Sequence, residues 1–98
     1  MIPKQQLFLL RNNIPVHELI PILGIPCKQS ENYFRFLCPI CQEFRTATNS
    51  KTNLARCFLC QRNFNPIDLV MITRNYTFLQ AVDYLTPLFA RHKIGKSL

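Results

Sequence analysis

Two periods of apolar residues divide this chain: helical spacing governs both ends, and a shorter, aromatic-rich alternation governs the middle. In residues 3–13, Leu7 and Leu10, with Phe8 beside them, make one helical face. The segment "IPVHELIPILG" then places Pro15 at a helix start, Val16, Leu19, Ile20 and Leu23 at helical spacing, and Gly24 as a stop. Pro21 inside that pattern is expected to kink or shorten the helix. From residue 25 the period changes. "NYFRFLC" reads as a strand running into a cysteine, and "FRTATN" and "NLARCF" read as two more short strands joined by the polar "SKT" turn. Helical signals return at Asn65-Pro66, a cap followed by proline at the first helical position, with Asp68 placed to complete the cap. Thr77 and Gln80 form a second capping box, and Phe78, Ala81, Val82 and Leu85 follow on one stripe.

The pattern predicts helices over 3–13, 15–24, 66–74 and 77–90 around a β-rich ribbon over 25–62. The fold class is therefore a small α+β domain, residues 1–90, with a short antiparallel sheet flanked by helices. The basic end "RHKIGKSL", residues 91–98, is expected to be a flexible tail.

Ninety-eight residues hold one domain with a modest core, and 48% apolar content favours folding over disorder. No apolar run of about 18 residues exists, so a membrane span is not expected. The first residues lack the pattern of an export signal, which points to the cytoplasm, where thiols stay reduced. Twelve cations against five carboxylates give a net charge of +7, and four thiolates on one divalent ion would still leave about +5. A polyanion is the first partner such a balance suggests, although it also serves solubility.

The cysteines narrow the chemistry. Cys38, Cys41, Cys57 and Cys60 form C-x2-C-x15-C-x2-C, the spacing of a zinc ribbon. Each two-residue gap lets a tight turn bring two sulfurs to one ion, and two such turns complete a tetrahedron. Iron held by four sulfurs stays open on ligands alone. A thioredoxin-like redox pair lacks its βαβ context, and five cysteines cannot all pair as disulfides. Four thiolates leave no open position for water, so one Zn2+ here is expected to be structural. Cys27 reads as a small apolar residue on a strand, with a spare ligand or reactive thiol as the alternative. His17 reads as a surface residue, and His92 belongs to the tail.

The run "NYFRFLCPIC…ARCFLCQRNFNPIDLVMITRNYTFLQAVDYL" resembles the zinc-binding domain of bacterial DnaG-type replicative primases, here as a stand-alone module. Its motifs are Asn32-Tyr33-Phe34, Cys38-Pro39-Ile40-Cys41, Cys57-Phe58-Leu59-Cys60, the helix from Asn65 to Met71, and Thr77-Phe78 to Val82. They fall in the family's order over residues 3–88. The family usually has histidine as its second ligand where this chain has Cys41. Its Thr-Pro-Ser-Phe hairpin appears as Thr46-Ala47-Thr48-Asn49, and its glycine-rich stretch has become "QRNFN". The resemblance implies recognition of single-stranded DNA template on the ribbon's sheet face, in trans with a separate polymerase or helicase.

Primer synthesis itself needs an acidic two-metal centre, and the five carboxylates here are scattered, so the chain is not expected to be an enzyme. Residues 27–62 instead carry six cations against two carboxylates, a net +4, interleaved with aromatics. Arg35, Arg45, Lys51, Arg56 and Arg62 are the candidate phosphate contacts, with Tyr33 and Phe44 as candidate stacking partners. The plainer alternative places the phenylalanines in the core and uses the arginines to neutralise the thiolates. A second functional class is an adaptor for replication or transcription proteins, docking through the apolar C-terminal helix. Elemental analysis is expected to find one zinc per chain; a fully folded, metal-free protein would overturn that expectation.

Overall fold

The chain opens with two short helices, α1 (Lys4–Asn12) and α2 (Val16–Ile22), and closes with α3 (Pro66–Arg74) and α4 (Phe78–Ser97). Between them lie five short strands, β1 (Cys27–Ser30), β2 (Tyr33–Phe36), β3 (Thr46–Asn49), β4 (Leu54–Cys57) and β5 (Arg62–Phe64). This computed structural model describes residues 2–30 and 33–97, with backbone only for Ser30 and residues 92–97. Asn32, part of the first resemblance motif, lies outside the described residues.

The helix boundaries follow from local chemistry. In α2, Pro21 sits in the last turn and the helix stops at Ile22, short of the expected 24. A Schellman closure ends it: the Gly24 N–H bonds the Pro21 carbonyl at 3.0 Å, and the Ile25 N–H bonds that of Ile20 at 3.2 Å. Gly24 supplies the left-handed backbone this closure needs, at φ 79°. At α3, the Asn65 side chain accepts from the Asp68 N–H at 2.9 Å while the Asp68 carboxylate accepts from the Asn65 N–H at 3.1 Å. Thr77 and Gln80 exchange the same pair of bonds ahead of α4. Helix α4 runs on to Ser97, past the expected end at 90. The side chains of residues 92–98, and with them the expected looseness of the tail, lie outside the described residues.

The strands form two antiparallel sheets rather than one, β1–β2 and β3–β4–β5. Strands β1 and β5 are the elements the sequence pattern does not predict. "CKQS" is polar with little β preference, and three residues are too few to show a period. Both exist because a partner strand lies ready: Cys27 pairs with Phe36, and Arg62 with Cys57.

One threonine joins the two sheets. Thr46 is fully buried, and its hydroxyl accepts from the Phe36 N–H at 2.9 Å while donating to the Phe36 carbonyl at 2.6 Å. A hydroxyl is both donor and acceptor, so this side chain satisfies a strand edge that would otherwise be buried unpaired. Arg35 strengthens the seam by donating to the Thr46 carbonyl. On the inner side, Phe36 and Phe64 meet Leu10, Leu19, Leu69 and Leu85 from the four helices in one core.

A second polar tie crosses between the helices and the β3–β4 turn. Asn53 is buried with φ 54°. Its side-chain oxygen accepts from the Val16 N–H at 3.0 Å, and its amide donates to the carbonyls of Arg11 and Ile14, each at 2.7 Å. The open N–H at the start of α2 and the carbonyls of the α1–α2 link are thereby satisfied by a residue nearly forty positions away. Asn53→Ala should lower stability by about 2–4 kcal/mol, because three buried backbone groups lose their partner. Asn53→Gly should be milder by about 1 kcal/mol, since glycine tolerates the left-handed backbone. Denaturant unfolding of both variants measures the two effects; equal values would refute the backbone contribution.

Candidate metal centre and adjoining basic face

The strands deliver the cysteines. Cys38 stands just beyond β2, Cys57 ends β4, and Cys60 lies in the turn before β5. Each pair closes a tight turn whose next residue is left-handed, Gln42 at φ 59° and Gln61 at φ 55°. In the first turn the Gln42 N–H bonds the Cys38 carbonyl at 2.9 Å, and the Ile40 N–H points to the Cys38 sulfur at 3.4 Å. In the second, the Cys60 N–H points to the Cys57 sulfur, also at 3.4 Å. Backbone amides thus stand ready to stabilise sulfur charge in both halves.

The four ligand sulfurs lie within 4.8 Å of one another. Cys38 and Cys60 are 3.9 Å apart, and Cys41 and Cys57 are 3.6 Å apart, Sγ to Sγ. A tetrahedron with metal–sulfur bonds of about 2.3 Å has edges of about 3.8 Å, so the cluster fits one ion. Cys38 and Cys57 are buried, and Cys41 and Cys60 half-buried. An ion held here would be a structural cross-link between β2 and the β4–β5 turn.

Crowded thiols cannot all ionise without a cation. Burial pushes the Cys60 thiol up to about 12, with its three cysteine neighbours adding to the rise. Burial also raises Cys41 above 9.0. At Cys57 burial acts in the same direction, but the Cys60 N–H and the neighbouring thiols together outweigh it and bring the group down to about 7.

The candidate nucleic-acid contacts divide by face. Tyr33 and Arg35 alternate with the core-packed Phe34 and Phe36, so both turn outward from β2. The Arg35 guanidinium lies over the Tyr33 ring at 5.1 Å. Lys28, opposite Arg35 in the ladder, covers the Phe44 ring at 4.3 Å, which occupies one side of that expected stacking partner. On β4, Arg56 alternates with the buried Ala55 and Cys57 and donates to the Asn63 side chain at 3.3 Å. It also lies 5.7 Å from the Phe58 ring. A shallow concavity of about 640 Å³ brings Arg56 and Phe58 together with Lys51, Asn49 and Asn63.

Arg62 is not brought to this face. It pairs with Cys57, shares the side of Phe64, and covers that ring at 5.4 Å. Arg45 is exposed beside the second knuckle, its carbonyl accepting from the Phe58 N–H at 2.8 Å. Cys27 is exposed and belongs to no cluster of ligand side chains among the described residues. Lys28 and Phe58 are the residues of this surface that sequence reasoning did not single out. No local pattern marks the first, whose place is set by β1 pairing with β2; the knuckle tip would have found the second.

Fold and site define a small α+β protein with a four-cysteine metal-binding cluster. No protein-family model, curated protein or solved structure matches the chain. Among the described residues no helix is long and apolar enough to cross a membrane.

Because Cys41 and Cys60 hold their protons near neutrality, loading a metal at about pH 7.5 should release at least two protons per ion. Affinity should fall about tenfold per pH unit for each proton displaced, and more steeply below about 7, where Cys57 also gains one. Calorimetry in buffers of different ionisation enthalpy counts these protons; a pH-independent affinity would refute the four-thiolate site.

Proposed function

We propose that this chain is a nucleic-acid-binding module built around a structural zinc ion. Its ligand is single-stranded DNA template in replication priming, and it works with a polymerase or helicase centre outside these residues. The observation that carries the reading is the outward side of β1, β2 and β4 together with the β3–β4 turn. Lys28, Arg35, Lys51 and Arg56 lie there with Tyr33 and Phe58, on the side the core does not use. Cations that track phosphates, interleaved with aromatic faces, are what a single strand needs. The resemblance to primase zinc-binding domains supports the same face and the same ligand.

The metal's part in this reading is indirect. It holds the end of β2 against the β4–β5 turn, and so keeps Arg35 and Arg56 in one surface. The chain is a binding module and not an enzyme in this proposal.

Binding of an oligothymidylate should weaken steeply with salt, with a log–log slope of about −3 for four or five neutralised phosphates. Lys51→Glu and Arg56→Glu should each reduce affinity at least tenfold and flatten the slope by about 0.7 for each phosphate no longer neutralised. Both variants should keep their metal content. Unchanged binding in the double variant, or no binding at low salt, would defeat the proposal.

A further inference from the structure

The tips of the two knuckles carry side chains that neither the fold nor the metal uses. Ile40, Phe58 and Leu59 lie between the paired cysteines, and they are 43%, 52% and 51% exposed. A knuckle engages its sulfurs through backbone N–H groups, so polar side chains would serve equally well at these positions. Here all three are large and apolar. Because the four sulfurs converge within 4.8 Å, both tips flank the one metal cluster. Two arginines stand beside the second knuckle: Arg56 lies 5.7 Å from the Phe58 ring, and exposed Arg45 holds the Phe58 N–H through its carbonyl. Against them stands one exposed carboxylate, Glu43.

We propose that this apolar tip with its arginine rim docks an acidic peptide segment of a partner protein, with the partner's apolar side chains seated on Ile40, Phe58 and Leu59. Charge selects the occupant. Arginine forks match carboxylates bidentately, and an apolar centre with a charged rim is the anatomy of a protein interface. A second copy of this chain is disfavoured, since each copy carries +7. A nucleic-acid strand fits Ile40 and Leu59 less well than it fits the sheet face, because both are aliphatic and offer no ring for a base; Phe58 and Arg56 lie where the two surfaces meet. The knuckles are cross-linked by the ion, so binding costs little conformational freedom. The docking surface therefore lies at the metal end. The C-terminal helix is largely committed elsewhere, since Ala81, Val82 and Leu85 are buried in the core.

The test is selection of a displayed random-peptide library on the zinc-loaded protein, in parallel with the Ile40→Ser/Leu59→Ser variant. Both positions are exposed, and metal content and circular dichroism confirm the fold; Leu59→Ser alone replaces the pair if the double variant loses metal. Peptides enriched on the wild type should combine aspartate or glutamate with apolar residues. A synthetic copy of the most enriched peptide should bind the wild type at least tenfold more tightly than the variant. Replacing its carboxylates by amides should cost a further tenfold, while an oligothymidylate binds both proteins equally. The proposal is overturned if no peptide is enriched over the variant, or if the amide peptide binds as well as the acidic one. It is also overturned if the variant fails to bind the oligonucleotide, which would make the tips a nucleic-acid contact.

Discussion

Four thiolates within 4.8 Å of one another repel unless a cation sits among them, and the rest of this molecule is arranged around that condition. The sulfurs come from two turns separated by fifteen residues, one hung on β2 and the other on β4 and β5. A divalent ion converts their repulsion into a cross-link, and structural zinc contributes about 10–16 kcal/mol to folding in small domains. That is as large as the whole net stability of about 5–15 kcal/mol typical of a folded protein. The hydrophobic core here lies on the helical side, where Phe36 and Phe64 meet the four helices, and it does not reach the knuckle tips. Cys38 and Cys57 are themselves buried in that core, so an ion among the four sulfurs would tie the knuckles to the side of the sheets that the helices cover.

Two polar side chains tie the sheets to each other and to the helices. Thr46 replaces a missing ladder between β2 and β3 with one hydroxyl, and Asn53 ties the β3–β4 turn to the start of α2 with one amide. Each is buried, and each satisfies backbone groups that would otherwise be desolvated without a partner. Arg35 also holds the Thr46 carbonyl, and the rest of the outward face is left largely free of structural duty. Arginines there can lie along aromatic rings, and the knuckles can present apolar tips to solvent. The proposed contacts with nucleic acid and with an acidic peptide thus occupy surfaces that neither the core nor the metal consumes.

Much of this was legible in the residues. Asn65-Pro66 with Asp68, and Thr77 with Gln80, announce two helix starts, because capping is a local matter of donors and acceptors within four residues. The paired C-x-x-C spacing announces a metal cluster for the same reason. Strands β1 and β5 were illegible because their stability comes from a neighbour and not from their own composition. Asn53 looked like an ordinary turn residue; its three bonds reach the α1–α2 segment, which no local pattern can show. Among the candidate contacts, Arg56 and Arg62 looked equivalent, but strand pairing turns them to opposite sides.

What the sequence determined by itself was the helix starts, the strand-rich middle, the four ligand residues and the positive charge. These follow from periodicity, spacing and composition, which are short-range or additive properties. Only the tertiary structure decided that there are two sheets joined by one threonine, which side of β2 meets the core, and that Ile40, Phe58 and Leu59 are each left exposed. The physical reason is that a side chain's surroundings depend on which distant strand pairs with its own. A single register fixes every face at once.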